Sequence, residues 1–468
     1  MEGRYNERAL FDKLAKDKVS HFVAVYGRRR VGKTYLIRNH FQGRFCFTHT
    51  GLANAETTDQ LAAFHRSIIS FSKLKYPIPN DWYEAFENLK KLILHSKQTK
   101  KILFIDELPW MDTPRSKFLS ALEHFWNSWA SARKDILFII CGSATSYIVH
   151  KIFGNKGGLH NRVTQKIKLN PFTLKETKAF LLSKKIDWSD YQIVKAYMST
   201  GGIPFYLDAM ERGKSPEQMI DILFFNKNGL LYNEFYHLYA SLFKNEDKYI
   251  AVIKALATKS KGLTRDEISQ LTKLSNGGSL TRILTELELS DFIVKYNSYG
   301  KNTRNTLYQL TDFFSLFYLK FIANKNTKSG DWVNAIDNPK YRAWSGYAFE
   351  QVCMSHIPQI KHAMGISGVQ TTEWAWRSTQ STNGAQIDLV IDRKDHITHI
   401  FEMKFSINEF TIDKKYDAEL RNKIGCFKKE TKTKNAIWLA MMTTYGLKEN
   451  EYAYLAQHNL TMLDLFKI

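Results

Sequence analysis

One octet constrains this chain more than any other stretch. Gly27-Arg28-Arg29-Arg30-Val31-Gly32-Lys33-Thr34 follows an apolar run, HFVAVY (21–26), and precedes YLIRNHF (35–41), which carries a helical pattern. The pattern G-x-x-x-x-G-K-[ST] between a strand and a helix describes a loop whose glycines let backbone N–H groups converge on phosphate oxygens. The helix that opens there adds its positive dipole end. In such a loop Lys33 reaches the outer phosphates and the Thr34 hydroxyl is a magnesium ligand, so Gly27 to Thr34, with Tyr35 after it, are the candidate nucleotide-binding residues.

A second element supplies the other half of that chemistry. KILFIDE (101–107) is an apolar run ending in two acids. Open α/β sheets bind ligands at the C-terminal edge of their strands, where Asp106 and Glu107 would stand. Asp106 is expected at the hydrated magnesium, and Glu107 suits orientation or deprotonation of an attacking water. A third run, ILFIICGS (136–143), ends at Ser143, a polar side chain expected beside the γ-phosphate. Arg162, after a glycine-rich stretch, is a candidate for neutralising charge in the transition state.

At 468 residues the chain exceeds what one core organises, so two to four domains are expected. The N-terminus is charged and no apolar run is long enough to cross a bilayer, so a soluble, cytoplasmic protein is expected. The four cysteines lie far apart with no C-x-x-C pair, which argues for reduced thiols over a zinc ribbon or a disulfide framework. The net charge of +21 favours a polyanionic partner, most simply DNA. That excess is uneven: residues 151–185 hold nine Lys/Arg and one acid, Glu176.

Five segments separate by pattern. Residues 1–170 alternate apolar strands (21–26, 44–50, 101–106, 135–142, 165–170) with amphipathic stretches, the pattern of a parallel sheet covered on both faces. Residues 171–243 read as helices broken at Gly201, Gly202 and Pro204. Residues 244–312 read as a winged helix-turn-helix, with a capping-box spacing at Thr264 and Glu267 and a helical pattern over 279–289. Such a module would put Thr281, Arg282 and Thr285 in a major groove and Lys295, Lys301 and Arg304 near phosphates. Residues 313–345 are an aromatic-rich connecting segment, polar in its middle, and 346–468 form a last α/β unit.

The pieces GRYNERALFDKL, GRRRVGKT, ILFIDELPW, ILFIICGSATS, the Asn161-Arg162 region and TGGIPFYL together resemble the archaeal-type ATPase family of the AAA+/STAND group of P-loop NTPases, over residues 1–310. The resemblance implies an ATP-binding parallel sheet with a helical lid. It puts Gly3 and Arg4 near the adenine, and makes Pro204 a reporter of nucleotide state. Family members carry a Leu-Tyr-Gly-Arg-like run where this chain has Leu159-His160-Asn161-Arg162, a departure that bears on the role of Arg162.

In the last segment Asp388, Glu402 and Lys404 form D-x13-E-x-K across two expected strands. Glu402 and Lys404, two apart, leave the same face of one strand. Two carboxylates can hold a hard divalent cation, magnesium or manganese, and a lysine beside them can stabilise charge on a phosphate. Glu350, on an expected helix (YAFEQV), could add a third acid. This arrangement resembles the PD-(D/E)xK nuclease superfamily and implies a restriction-endonuclease-like α/β domain. The expected whole is an ATPase that regulates a DNA-binding, DNA-cleaving C-terminal module. A reading of another class is a STAND-like signalling ATPase whose C-terminal domains bind a protein partner without nuclease chemistry. A homo-oligomeric ring and a nucleotide-gated monomer both fit.

Overall fold

The computed structural model describes residues 3–72, 74–154, 159, 161–259, 262–296, 306–323, 327–336, 338–378 and 385–468. The chain divides into two compact units, Met1–Asn170 and Pro171–Ile468. Among the described residues no helix is long and apolar enough to cross a membrane. The four cysteines carry free thiols.

The first unit is built on strands β1 (His21–Tyr26), β2 (Phe45–Thr50), β3 (Lys101–Asp106), β4 (Ile136–Gly142) and β5 (Gln165–Lys168). They lie in the order β2-β3-β4-β1-β5, every neighbouring pair parallel, as the alternation of apolar runs predicts. Every residue of β3 and β4 is buried, which is why both strands read as continuous apolar runs. Helices Thr57–Phe71, Trp82–His95 and Phe118–Ser128 contribute Phe64, Trp82, Phe86, Phe118 and Phe125 to a core shared with Phe22, Phe47 and Phe138. Burial of each such ring stabilises by roughly 1.5–3 kcal/mol, so the sheet edge that carries the polar residues rests on a stiff base.

The second unit opens with helices Leu174–Ser183 and Asp190–Thr200, each started by a full capping box, Thr173 with Glu176 and Ser189 with Gln192. The second ends at Gly201 and Gly202, both left-handed; a Cβ on Gly202 would lie 2.3 Å from the Phe172 carbonyl oxygen. Three further helices, Glu246–Ala257, Arg265–Thr272 and Gly278–Leu289, are joined to a small antiparallel sheet. Its strands are β6 (Leu263–Thr264), β7 (Ile293–Tyr296) and β8 (Leu307–Leu310), in the order β6-β8-β7. The Thr264–Glu267 capping box is formed. Lys301 and Arg304 lie outside the described residues, as does His160.

The stretch expected as a connecting segment contains helix Phe313–Phe321 and the start of helix Pro339–Ser355. Helix Phe313–Phe321 packs Phe317 and Phe321 against Trp332 and Trp344, and Phe314 against Tyr206 and Phe224. Its aromatics lacked a readable period because they pack on several sides at once. The long helix Pro339–Ser355 follows. The last sheet contains β9 (Thr371–Arg377), β10 (Gln386–Arg393), β11 (Ile397–Lys404), β12 (Ala436–Thr443) and β13 (Ala456–Thr461). The order is β13-β12-β11-β10-β9, antiparallel from β9 to β11 and parallel from β11 to β13. Helix Lys414–Thr431 makes the crossover that parallel pairing of β11 and β12 requires.

Candidate functional site

The order of the first sheet sets the C-terminal ends of β1, β3 and β4 side by side, and each end carries part of the candidate nucleotide site. The loop after β1 turns sharply: Gly27 has φ +137°, Arg30 +72° and Gly32 +88°. Gly27 is irreplaceable on steric grounds, because a Cβ there would lie 2.3 Å from the Leu169 carbonyl oxygen. Helix Lys33–His40 begins directly after Gly32, so its unpaired first N–H groups face the loop. Arg28 and Val31 are buried, Arg29 and Arg30 half-buried, and Tyr35 points outward, 62% exposed.

Lys33 is buried, and its Nζ donates to the carbonyl oxygens of Gly27 and Arg28, each at 2.8 Å. Burial lowers its pKa, opposed in part by the nearby Glu107 and Asp106 carboxylates. The Thr34 hydroxyl donates to Asp106 Oδ1 at 3.2 Å. Asp106 is raised above the ordinary carboxylate range by burial, opposed by the Thr34 hydrogen bond and reinforced by the Glu107 charge. Glu107 itself sits in the left-handed region, φ +47°. Both its oxygens are held by Ser143, whose hydroxyl donates to Oε1 at 2.6 Å and whose N–H donates to Oε2 at 3.2 Å.

Arg4 is buried and donates through Nη2 to the carbonyls of Val31, at 3.2 Å, and Asn170, at 2.5 Å. It therefore braces the loop against the end of the unit. Arg162 is exposed on a turn closed by its own N–H to the Leu159 carbonyl, 3.0 Å. Pro204 belongs to the second unit, half-buried at the first position of helix Pro204–Asp208. Sequence reasoning missed Cys141, whose thiol lies inside β4 against Asp106 and is pushed up chiefly by burial. An apolar strand containing one cysteine gives no sign that the thiol faces a carboxylate.

In the second unit, Asp388, Glu402, Lys404 and Glu350 all line one cavity of about 550 Å³. Asp388 and Glu402 stand one step beyond the antiparallel pair Leu389–Phe401. The pairing of β10 with β9 shifts register between Ile387 and Val390, a bulge that re-aims the residues at Asp388. Glu402 is enclosed by cations and a phenol: Tyr416 Oη donates to Oε1 at 2.6 Å, Lys404 Nζ lies 2.9 Å from Oε1, and Lys423 Nζ lies 2.7 Å from Oε2. Burial raises the Glu402 pKa, but Lys404 and Lys423 outweigh it and hold the carboxyl below its ordinary range. Gln386 Nε2 donates to Asp388 Oδ1 at 2.6 Å.

The expected metal-binding residues Glu350, Asp388 and Glu402 share this cavity. Among the described residues no group of three or more His, Cys, Asp or Glu side chains is arranged to hold a metal ion. The Glu402 oxygens are turned to Lys404, Lys423 and Tyr416. Lys423 and Tyr416 were missed by sequence reasoning. They are seven residues apart on one helix, a same-face spacing, but nothing local says which face meets β11.

Comparison with known proteins bears on the first of these sites. Residues 7–210 match the family model described as an ATPase domain predominantly from Archaea. An uncharacterized protein of Methanocaldococcus jannaschii is 25% identical over 390 residues, 82% of each chain. Among solved structures, a Walker-type ATPase of Pyrococcus abyssi is similar at 17% identity and a TM-score of 0.49, over 68% of this chain and 96% of its own. The ORC2 protein of Aeropyrum pernix is similar at 14% identity and a TM-score of 0.41, over 68% of this chain and 93% of its own. The matched residues 7–210 include the phosphate-binding loop, in keeping with a P-loop ATPase domain similar to the archaeal type.

Proposed function

We propose that the chain is an ATP-hydrolysing switch whose N-terminal domain regulates a DNA-binding, DNA-cleaving C-terminal module. The observation that carries the ATPase half is the meeting of three strand ends: Lys33 at the loop, Thr34 on Asp106, and Ser143 on Glu107. In this reading the loop amides and Lys33 bind the phosphates. Thr34 and Asp106, already 3.2 Å apart, suit a hydrated magnesium ion, which would neutralise charge on the phosphate oxygens. Glu107 takes the proton of the water that attacks the γ-phosphorus, and Ser143 sets the direction of that carboxylate. Arg4 keeps the loop in place, Arg162 is the candidate cation for the transition state, and Pro204 links the lid to nucleotide state.

The division of labour follows: 1–170 as ATPase core, 171–243 as helical lid, 244–312 as winged helix-turn-helix, 313–345 as connecting segment and 346–468 as nuclease-like domain. Three helices, with β6 between the first and second and β7 and β8 after the third, support the winged module, with Thr281, Arg282 and Lys295 exposed and Thr285 half-exposed. A bulged β10 and a β11 that together bring Asp388, Glu402 and Lys404 into one cavity support the nuclease-like domain. Asp388 and Glu402 would hold a magnesium or manganese ion together with phosphate oxygens, Glu350 lying in the same cavity, and Lys404 would stabilise charge on the phosphate. The second reading, signalling through a protein partner, is favoured by one observation, the full pairing of Glu402 by Lys404 and Lys423.

The deciding experiment measures metal-dependent DNA cleavage by the intact chain, with and without ATP. Wild type is expected to cut; Asp388→Ala with Glu402→Ala is expected to lose cutting and keep ATP turnover; Lys33→Ala is expected to lose turnover. Cutting that persists in the double variant removes this cavity from the chemistry, and turnover that persists in Lys33→Ala removes the loop.

A further inference from the structure

We infer that the cavity around Asp388 and Glu402 accepts one unstacked nucleotide, so that the DNA it acts on is single-stranded or has an open strand end. This rests on the nuclease reading of the same cavity and adds the substrate class. Its volume of about 550 Å³ lies in the range of pockets that enclose a small ligand, not that of an open groove for a duplex. The Glu402 side chain is only 11% exposed, so a phosphate must enter the cavity to reach it.

A second element contributes to the lining. Tyr296 of β7 and Leu307 and Gln309 of β8 line the cavity together with the carboxylates of β10 and β11. That small sheet is tied to helix Pro339–Ser355, because Gln309 Nε2 donates to Tyr347 Oη at 3.2 Å and Tyr347 Oη donates to the Leu310 carbonyl at 3.4 Å. Tyr347, held by these bonds, and Tyr296 both line the cavity, and aromatic rings are the kind of surface on which single-stranded bases stack.

The polar lining says what enters beside the phosphate. Lys404 and Lys423 supply cations suited to a phosphate. Gln351 and Gln386 also line the cavity, and among the described residues the buried Oε1 of each accepts no hydrogen bond. Gln351 is 4% exposed. The Gln386 amide is oriented by its own Nε2 bond to Asp388, which leaves Oε1 as an acceptor without a donor. A buried acceptor left unmatched costs about 1–3 kcal/mol, a cost that a ligand donor relieves. Bases carry N–H donors on their pairing edges, and in a duplex those donors are engaged by the complementary strand. An unpaired nucleotide small enough for the cavity brings a phosphate for the lysines and the donors of its pairing edge for Gln351 and Gln386.

The test uses the full chain with manganese and two probes of one sequence: a labelled single strand and a relaxed, covalently closed duplex circle. The single strand is expected to be cut at least about tenfold faster. Equal rates on both probes overturn the inference and leave the nuclease reading standing; no cutting of either overturns both. Two variants refine it. Gln351→Leu, close in shape but lacking the acceptor, is expected to raise KM for the single strand about tenfold with kcat retained. Leu307→Trp, which adds bulk to the lining at a residue of β8 outside the carboxylate set, is expected to lower kcat/KM by at least that factor. Should Gln351→Leu melt like wild type and keep its KM, the nucleotide assignment is wrong, whatever Leu307→Trp does to folding.

Discussion

Two glycines of the phosphate-binding loop have positive φ but are not equivalent. Gly27 meets the Leu169 carbonyl oxygen at 2.3 Å from a built Cβ, whereas Gly32 meets nothing within 4 Å. Gly27→Ala is therefore expected to cost about 2–4 kcal/mol in urea unfolding, and Gly32→Ala about 1 kcal/mol, the strain of a left-handed alanine alone. Equal losses would mean that the contact with Leu169 does not constrain the loop. At the same scale, Ser143 holds both oxygens of Glu107. Glu107→Gln is expected to retain ATP and slow phosphate release by about a hundredfold or more, and Ser143→Ala by about tenfold through the misdirected carboxylate. Unchanged steady-state turnover in Ser143→Ala would remove that positioning role.

At the scale of elements, His356 joins two helices of the second unit. Its Nε2 accepts the Leu174 N–H, one of the unpaired donors that open helix Leu174–Ser183, at 2.9 Å. Its Nδ1 lies 2.8 Å from the Val352 carbonyl and donates to it, so the neutral ring satisfies both sides. Burial lowers its pKa to about 4. The unfolded chain then takes up this proton near pH 6.5 and the folded chain near 4, so stability is present above pH 6.5 and is lost as pH falls through that window. The full loss is roughly 3 kcal/mol by linkage. His49 and His399 are displaced the same way, also to about 4, so acid destabilisation has several sources. His356→Gln should lessen the fall in Tm between pH 6.5 and 4.5 without abolishing it. An unaltered pH profile would show that His356 is not neutral in the folded state.

For the whole molecule the net charge of +21 sets a prediction independent of any single contact. If about four phosphates are neutralised, DNA affinity falls by roughly a hundredfold for a fourfold rise in salt, through release of counterions. Fluorescence anisotropy across a salt series measures this, and an affinity indifferent to salt would favour the protein-partner reading. What the sequence alone determined is what is written in contiguous residues. Strand, glycine turn and helix follow one another from His21 to His40, and two acids close β3, because local spacing and backbone freedom suffice to specify them. The alternation of Glu402 and Lys404 likewise needs only the pleat of one strand. Tertiary structure decided the rest, since it depends on side chains far apart in the chain. Leu169 makes Gly27 obligatory, Cys141 faces Asp106, Ser143 seizes Glu107, and Lys423 with Tyr416 occupies the carboxylate expected to bind metal. Each of these depends on which faces of distant elements meet in the folded core, a choice made by the packing of whole elements and carried by no short stretch of sequence.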